Sequence, residues 1–439
     1  MGWIDNILFA FILGAGSWWF AGNVKKIRRN ILLGKDVDRS DRKAERWNML
    51  IRVALGQSKM VLRPVAGFLH VIVYAGFVII NIEVLEILID GLFGTHRILS
   101  FAGSLYDFLI GAFEWLAFGV IVACVVFFTR RNLVKLKRFL SSELDGWPRS
   151  DANIILGIEI LLMSAFLLMN AADGLLQNMG SAHYHKAGSF PVSSMMMPVL
   201  ANLSEGTLIF IERFCWWFHI IGILAFMNYL PYSKHFHIIL SFPATFYSNL
   251  KAKGEIVNLE AVTNEVKLML DPSSAVASPP ADGTPQRFGA KDVFDLNWKQ
   301  LLDAYTCTEC GRCTSSCPAN QTGKLLSPRK ILMDTRDRLD EVGKNIDVNG
   351  GTFKDDGKAL LGSYISEEEL WACNTCNACT EACPVNLDPL SVIVDLRRYL
   401  IMEQSAAPAS LNMMFTNVEN NGAPWQFSPS DRLNWASES

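Results

Sequence analysis

The chain has 439 residues, of which 50% are apolar and only 19% charged, with a formal net charge of −3. That length accommodates two or three domains, and the composition is too apolar for an ordinary soluble protein of this size. No basic stripe runs through the sequence, which argues against a nucleic-acid binder.

The apolar residues are concentrated before about residue 245, and residues 250–439 read as soluble. A spanning helix needs about 20 apolar residues, and five stretches qualify, at about 3–20, 65–89, 105–128, 152–176 and 214–240. The first runs from Trp3 to Phe20 and is followed by Lys25, Lys26, Arg28 and Arg29. It lacks a basic leader and a small-residue cleavage site, so it reads as a retained anchor. The fifth begins near Phe214 and is expected to continue through Pro231 to Leu240.

Basic residues cluster after spans one (25–63), three (Arg130, Arg131, Lys135, Lys137, Arg138) and five (Lys234, Lys251, Lys253). The other loops hold little beyond Arg97 and Lys186. The positive-inside rule then predicts a multi-pass inner (cytoplasmic) membrane protein with its N-terminus outside and its C-terminal domain in the cytoplasm.

Residues 246–295 are expected to be a linker, richest in Pro, Ser, Ala and Gly at 271–290. Past it the signals are helical. Ser327-Pro328 opens a helix through about Val342, Ser366-Glu367-Glu368-Glu369 is a capping-box pattern, and Asp388-Pro389 opens a helix through Leu400. No strand alternation is evident. The predicted fold is all-α: a five-helix transmembrane bundle (1–245), then a cytoplasmic α-helical domain (296–405) and a tail (406–439) that docks to a partner.

Ten cysteines are present. Cys124 and Cys215 stand alone within apolar stretches and read as small buried hydrophobes. The other eight form two copies of Cys-x-x-Cys-x-x-Cys-x-x-x-Cys-Pro: Cys307, Cys310, Cys313 and Cys317 before Pro318, then Cys373, Cys376, Cys379 and Cys383 before Pro384. This spacing lets three thiolates wrap one four-iron, four-sulfur cubane while the fourth reaches its neighbour. Cys307, Cys310, Cys313 and Cys383 are expected to hold one [4Fe-4S] cluster, and Cys373, Cys376, Cys379 and Cys317 the other. A structural zinc site is the bland alternative, but zinc usually takes ligand pairs from separate loops. No glycine fingerprint for an organic cofactor accompanies the clusters, so they read as an electron wire.

Ionisable residues inside spans are functional candidates by default. His70 lies on span two near its cytoplasmic end. His219 and His237 are eighteen residues apart, five turns and roughly 27 Å along one uninterrupted helix. His70 and His237 match in depth and suit a bis-histidine b-type haem; polar interhelical contacts are the plainer reading. His219 would serve a possible second haem, but the matching place on span two is Ile80. His235 is expected to face the headgroups, and His96, His183 and His185 to lie in outer loops. Glu114 and Glu159 either relay protons to a quinone or bond to Ser and Asn neighbours.

The run Trp216-Trp217-Phe218-His219, with Pro231-Tyr232-Ser233-Lys234-His235-Phe236-His237, resembles the fifth helix of the respiratory nitrate reductase gamma subunit. The cysteine-rich part resembles the α-helical two-cluster ferredoxin domain of heterodisulfide reductase-like proteins. The fused pair is similar to bacterial (Fe-S)-binding membrane proteins related to heterodisulfide reductase, as is the tail from Asn420-Asn421-Gly422-Ala423-Pro424-Trp425 to Trp435-Ala436. Those relatives usually continue into Cys-Cys-Gly domains, and no Cys follows Cys383 here. The resemblance implies an electron-transfer subunit of a quinone oxidoreductase, with two [4Fe-4S] clusters, a b-type haem and a membrane quinone. Its partner would be a separate Cys-Cys-Gly iron–sulfur subunit or an electron-transfer flavoprotein. The alternative is a haem-free membrane anchor or assembly module whose cluster domain docks a partner.

Overall fold

A computed structural model describes residues 3–271 and 287–437. Most of the Pro- and Ser-rich stretch expected at 271–290 therefore lies outside the described residues. Among the described residues the fold is helical, and the only β-type pairings are the isolated bridges Lys35↔Asn297 and Leu361↔Ile365.

Among the described residues five helices are long and apolar enough to cross a membrane: Trp3–Ile31, Pro64–Phe93, Ser104–Asn132, Trp147–Met179 and Glu205–Tyr232. The fourth packs on the third and fifth, the second on the third, and the first on the second and fifth. Small residues permit the close approaches that membrane helices need. A Cβ on Gly222 would lie 2.6 Å from the Leu162 side chain, and one on Gly91 would lie 2.6 Å from the Phe9 ring. Cys124 and Cys215 are buried in the bundle, as their apolar surroundings suggested.

Several boundaries differ from expectation, and the fifth helix begins at Glu205 instead of near Phe214. The first helix does not stop at Phe20 but runs to Ile31. Lys and Arg are good helix formers, and Arg29 extends into the C-terminal domain, donating to Asp347 and, at 3.0 Å, to the Gly343 carbonyl. The fifth helix breaks where it was expected to continue. Its α-helical part ends at Tyr229, and Leu230–Tyr232 and Lys234–Phe236 are short tight turns. Ser233 between them is extended, at φ −117 and ψ 148. A new helix, His237–Phe246, follows. Pro231 cannot donate to the helical ladder, so His219 and His237 do not share one uninterrupted helix face.

The cysteine-rich domain sits on the end of the bundle where residues 32–63, 133–146 and 233–237 emerge. One apolar core joins the two parts: Ile27, Ile31, Leu230, Phe236 and Leu240 pack with Leu296, Leu301 and Leu302. The Lys35 amide donates to the Leu296 carbonyl at 2.8 Å, and the Trp298 amide to the Lys35 carbonyl at 3.0 Å. Gly34 permits this approach, since a Cβ there would lie 2.8 Å from the Asn297 backbone.

The expected caps form. Ser327 accepts from the Lys330 amide at the head of Pro328–Val348, a helix that runs beyond the end its signals indicated. Ser366 and Glu369 make a reciprocal capping box, and Asp388 caps Pro389–Met402. Buried arginines brace this domain. Arg338 bonds to Asp292 and Asp356, and Arg329 joins Glu143 at 2.7 Å to the Arg138 carbonyl at 2.9 Å.

Candidate cofactor sites

The two cysteine runs adopt the same local fold. Trp298–Thr306 ends at Cys307, which is extended. Glu309 and Gly311 then take positive φ, 56 and 71. The short helix Arg312–Ser316 carries Cys313, and Cys317 leaves it extended before Pro318. In the second run Thr375 and Asn377 take positive φ, 54 and 62, at the corresponding positions. Ala378–Ala382 carries Cys379, and Cys383 leaves extended before Pro384.

Left-handed residues flanking each second cysteine curl the backbone so that amides face inward, a geometry suited to a polyanionic cluster. Two amides already reach sulfur, Thr375 to Cys373 Sγ at 3.4 Å and Leu387 to Cys383 Sγ at 3.3 Å. The short helices of the two runs pack on each other.

This pairing crosses the fourth cysteines over. Cys307, Cys310, Cys313 and Cys383 line one cavity, which Cys379 also borders. Cys317, Cys373, Cys376 and Cys379 line the other. Each thiol set rings its cavity, the arrangement four iron corners need. Burial pushes the Cys307 and Cys379 thiols up to about 12 and Cys383 to about 11. A cluster bound there would take these sulfurs as thiolates, and its assembly would release their protons.

Gly311 is the tightest point of the first loop. A Cβ there would meet Arg329 Nη1 at 2.7 Å while the backbone holds φ +71. Gly311→Ala is expected to cost about 1–2 kcal/mol from the left-handed conformation alone, and to lower iron occupancy of the first cavity. Asn377→Gly, at the equivalent second-loop position, is expected to leave iron content unchanged. Iron and sulfide assays of the two variants check both.

The histidines group as follows. His70, near the start of the second span, lies within electrostatic reach of His237 and Arg312. His70 Nδ1 is buried without a hydrogen-bond partner. His237 Nδ1 lies 3.0 Å from the Lys234 carbonyl; donating there leaves Nε2 as a lone-pair ligand. These donors fit an axial pair for haem iron. His219 is buried with Nδ1 3.0 Å from the Leu162 carbonyl. Ile80 packs in the same apolar cluster as Phe166, Trp216 and Ile220, so no second histidine meets His219 from span two.

His235 does not face outward as expected. Its ring lies 5.3 Å from Phe226 and 5.4 Å from His237, because the break at Pro231 turns the segment back over the bundle. His96 and His185 are in loops at the end remote from the cysteines, 5.5 Å apart.

Polar contacts tie the histidine segments to the cysteine loops. Asp151 accepts from Tyr229 at 2.5 Å, Ser233 at 2.7 Å and the Lys234 amide at 3.2 Å. Lys234 Nζ pairs with Glu309 of the first loop, whose other oxygen accepts from Arg336 at 2.9 Å. Ahead of His70, Arg312 donates to the Lys59 and Met60 carbonyls at 3.1 and 3.2 Å, and Lys59 Nζ donates to Asn386 at 2.7 Å.

Glu114 is fully engaged in structure. It accepts from Asn170 (3.1 Å), the Val192 and Ser193 amides (2.8 and 3.0 Å) and the Ser193 hydroxyl (2.5 Å). Glu159 lies near Cys124. Sequence reasoning passed over Glu83, Glu86 and Asp90, three buried acids on the second span. Their three- and four-residue intervals on a single helix face were the available signal.

A helical membrane bundle capped by a paired four-cysteine domain defines a membrane-bound iron–sulfur electron carrier. Residues 306–387 match the model of the 4Fe-4S dicluster domain. The chain is 28% identical to the probable iron-sulfur-binding oxidoreductase FadF of Bacillus subtilis, over 99% of this chain and 61% of that protein. It is 26% identical to the EtfAB:quinone oxidoreductase of Syntrophomonas wolfei, over 98% of this chain and 59% of that protein. It is also 32% identical to one component of the ferredoxin/F(420)H(2)-dependent CoB-CoM heterodisulfide reductase of Methanosarcina acetivorans, over 27% of this chain and 60% of that component. No solved structure matches. The chain is thus a homologue of iron–sulfur oxidoreductases with a 4Fe-4S dicluster domain, and spans about three fifths of the length of the first two relatives.

Proposed function

We propose that this chain is the membrane electron-transfer subunit of a quinone-linked oxidoreductase complex, working between a membrane quinone and a cytoplasmic partner. The observation that carries this reading is that His237 and Arg312 of the first cysteine loop lie within electrostatic reach of His70. His70 and His237 would hold a b-type haem. Cys307, Cys310, Cys313 and Cys383 hold one cluster, and Cys373, Cys376, Cys379 and Cys317 the other. Bound there, haem and clusters supply one-electron carriage between a two-electron quinone and the partner.

The chain's own residues do the positioning. Asp151 and Lys234 fix the turn before His237, and Arg312 anchors the first loop to the stretch of chain leading into His70. The basic loops favour the cytoplasmic side for this end. The name of the Syntrophomonas relative pairs EtfAB with quinone, which favours an electron-transfer flavoprotein as partner over a Cys-Cys-Gly protein.

A reduced-minus-oxidised spectrum of the purified protein tests the haem. A b-type α band is expected, and His70→Ala and His237→Ala should each abolish it while iron–sulfur absorbance remains. No band in the wild type, or a band surviving in both variants, sinks the assignment in favour of a haem-free anchor.

A further inference from the structure

The end of the bundle remote from the cysteines buries a second constellation of polar side chains. Glu83 is 4% exposed, and its Oε2 has no hydrogen-bond partner among the described residues. Arg97, Glu86, Glu114 and Asp173 are the charged groups that face it, with Tyr106 alongside. The rest of the group is bonded. Tyr106 donates to Glu86 at 2.9 Å, and Arg97 donates to Asp173 at 2.6 Å and to Asn170 at 2.9 Å. Ile80, Phe166, Trp216 and Ile220 pack in one apolar cluster with Tyr106 of this constellation. Toward the far surface, His96 Nε2 lies 3.5 Å from Asp173 Oδ1, and exposed His185 stands beyond it.

A carboxyl group with an open oxygen in a membrane interior is costly. Structural roles account for Glu86, Glu114 and Asp173, which spend their oxygens on amides, hydroxyls and Arg97. Nothing of that kind engages Glu83 Oε2.

We propose that Glu83 is the proton-exchanging group of a quinone site in this far half of the bundle, with His96 and His185 as its link to the far surface. This deepens, and rests on, the reading of the chain as a quinone oxidoreductase subunit. In the reducing direction a quinone gains two electrons from the reduced cofactors and two protons. Both carbonyl oxygens become hydroxyls, with one new O–H proton coming from the Glu83 carboxyl and the other from water. The carboxylate regains its proton from water through His96 and His185. Quinol oxidation runs the same exchange backwards.

The test uses the full-length protein with its haem and clusters, reduced chemically and mixed with a short-chain naphthoquinone. Glu83→Gln keeps the shape and cannot give up a proton. It is expected to slow reoxidation by about 100-fold, leaving the haem spectrum and cluster resonances as in the wild type. Glu83→Asp is expected to retain most of the rate and to displace its pH profile. A His96→Ala, His185→Ala pair should slow the reaction less than Glu83→Gln.

A wild type that the naphthoquinone fails to reoxidise overturns the quinone reading itself. A wild type that is reoxidised, with Glu83→Gln within about twofold of it, overturns the Glu83 assignment alone. Should Glu83→Gln not assemble, Glu83→Asp decides: a displaced profile supports the assignment and an unchanged one overturns it.

Discussion

Cys383→Ser is expected to remove the cluster built on the first cysteine run and to spare the one built on its own run. Cys383 follows the second loop in sequence, yet its side chain lines the cavity of Cys307, Cys310 and Cys313. Cys310 is the nearest charge-bearing neighbour of its sulfur. The extended backbone at Cys383, ahead of Pro384, carries the thiol out of the loop that holds Cys373, Cys376 and Cys379. The same reasoning sends Cys317 to the second cavity.

Iron and acid-labile sulfide should fall by about half in either variant, since each four-iron cubane depends on four thiolates. Electron paramagnetic resonance distinguishes crossed from uncrossed ligation. With crossed ligands Cys383→Ser and Cys310→Ser lose the same signal, and combining them costs nothing further. With uncrossed ligands Cys383→Ser instead matches Cys376→Ser.

The cysteine spacing made the paired domain legible because it is a local constraint. Thiols at fixed offsets can serve few other geometries, and capping residues such as Ser366 and Asp388 mark helix starts by chemistry confined to one turn. The spans were legible for a similar reason, since length and apolarity are summed along the chain. Their ends were not. Whether Lys25 to Arg29 stop a helix depends on what waits beyond it, and Asp347, 318 residues from Arg29, is invisible to a local reading.

Pro231 was visible, but the long apolar run around it outweighed the missing amide. The structure resolves that competition through Asp151, which holds Ser233 and the Lys234 amide in the broken conformation. His235 followed the same error inward. Glu83 was missed although Glu86 and Asp90 follow it at helical spacing, because the apolar run around them dominates a local reading. Its meaning depends on Arg97, Tyr106 and Asp173 arriving from other elements.

Glu309→Ala should be the most damaging single substitution at the junction of the two parts that touches neither cysteine nor histidine. Glu309 is 4% exposed and receives Lys234 from the turn before His237 and Arg336 from the cluster domain. Burial pulls its carboxyl upward, and the two cations together outweigh that, holding it below the usual 4.5. Removing it strands Lys234 on the Pro148 carbonyl and a 3.8 Å contact with Asp151, and Arg336 on the exposed Asp337, a loss of about 3 kcal/mol.

Lys234→Met in the same background should recover part of that loss, because it withdraws one of the stranded charges; a double-mutant cycle on thermal unfolding measures the coupling. The sign of the pH dependence follows from the lowered carboxyl. Its contribution is complete above the unfolded value and is lost as pH falls through the folded one. The stability gap between wild type and Glu309→Gln should therefore stay level between about pH 5 and 8 and narrow below it. A gap that instead widened on acidification would mean that the carboxyl is protonated in the folded protein, and that Lys234 and Arg336 are compensated elsewhere.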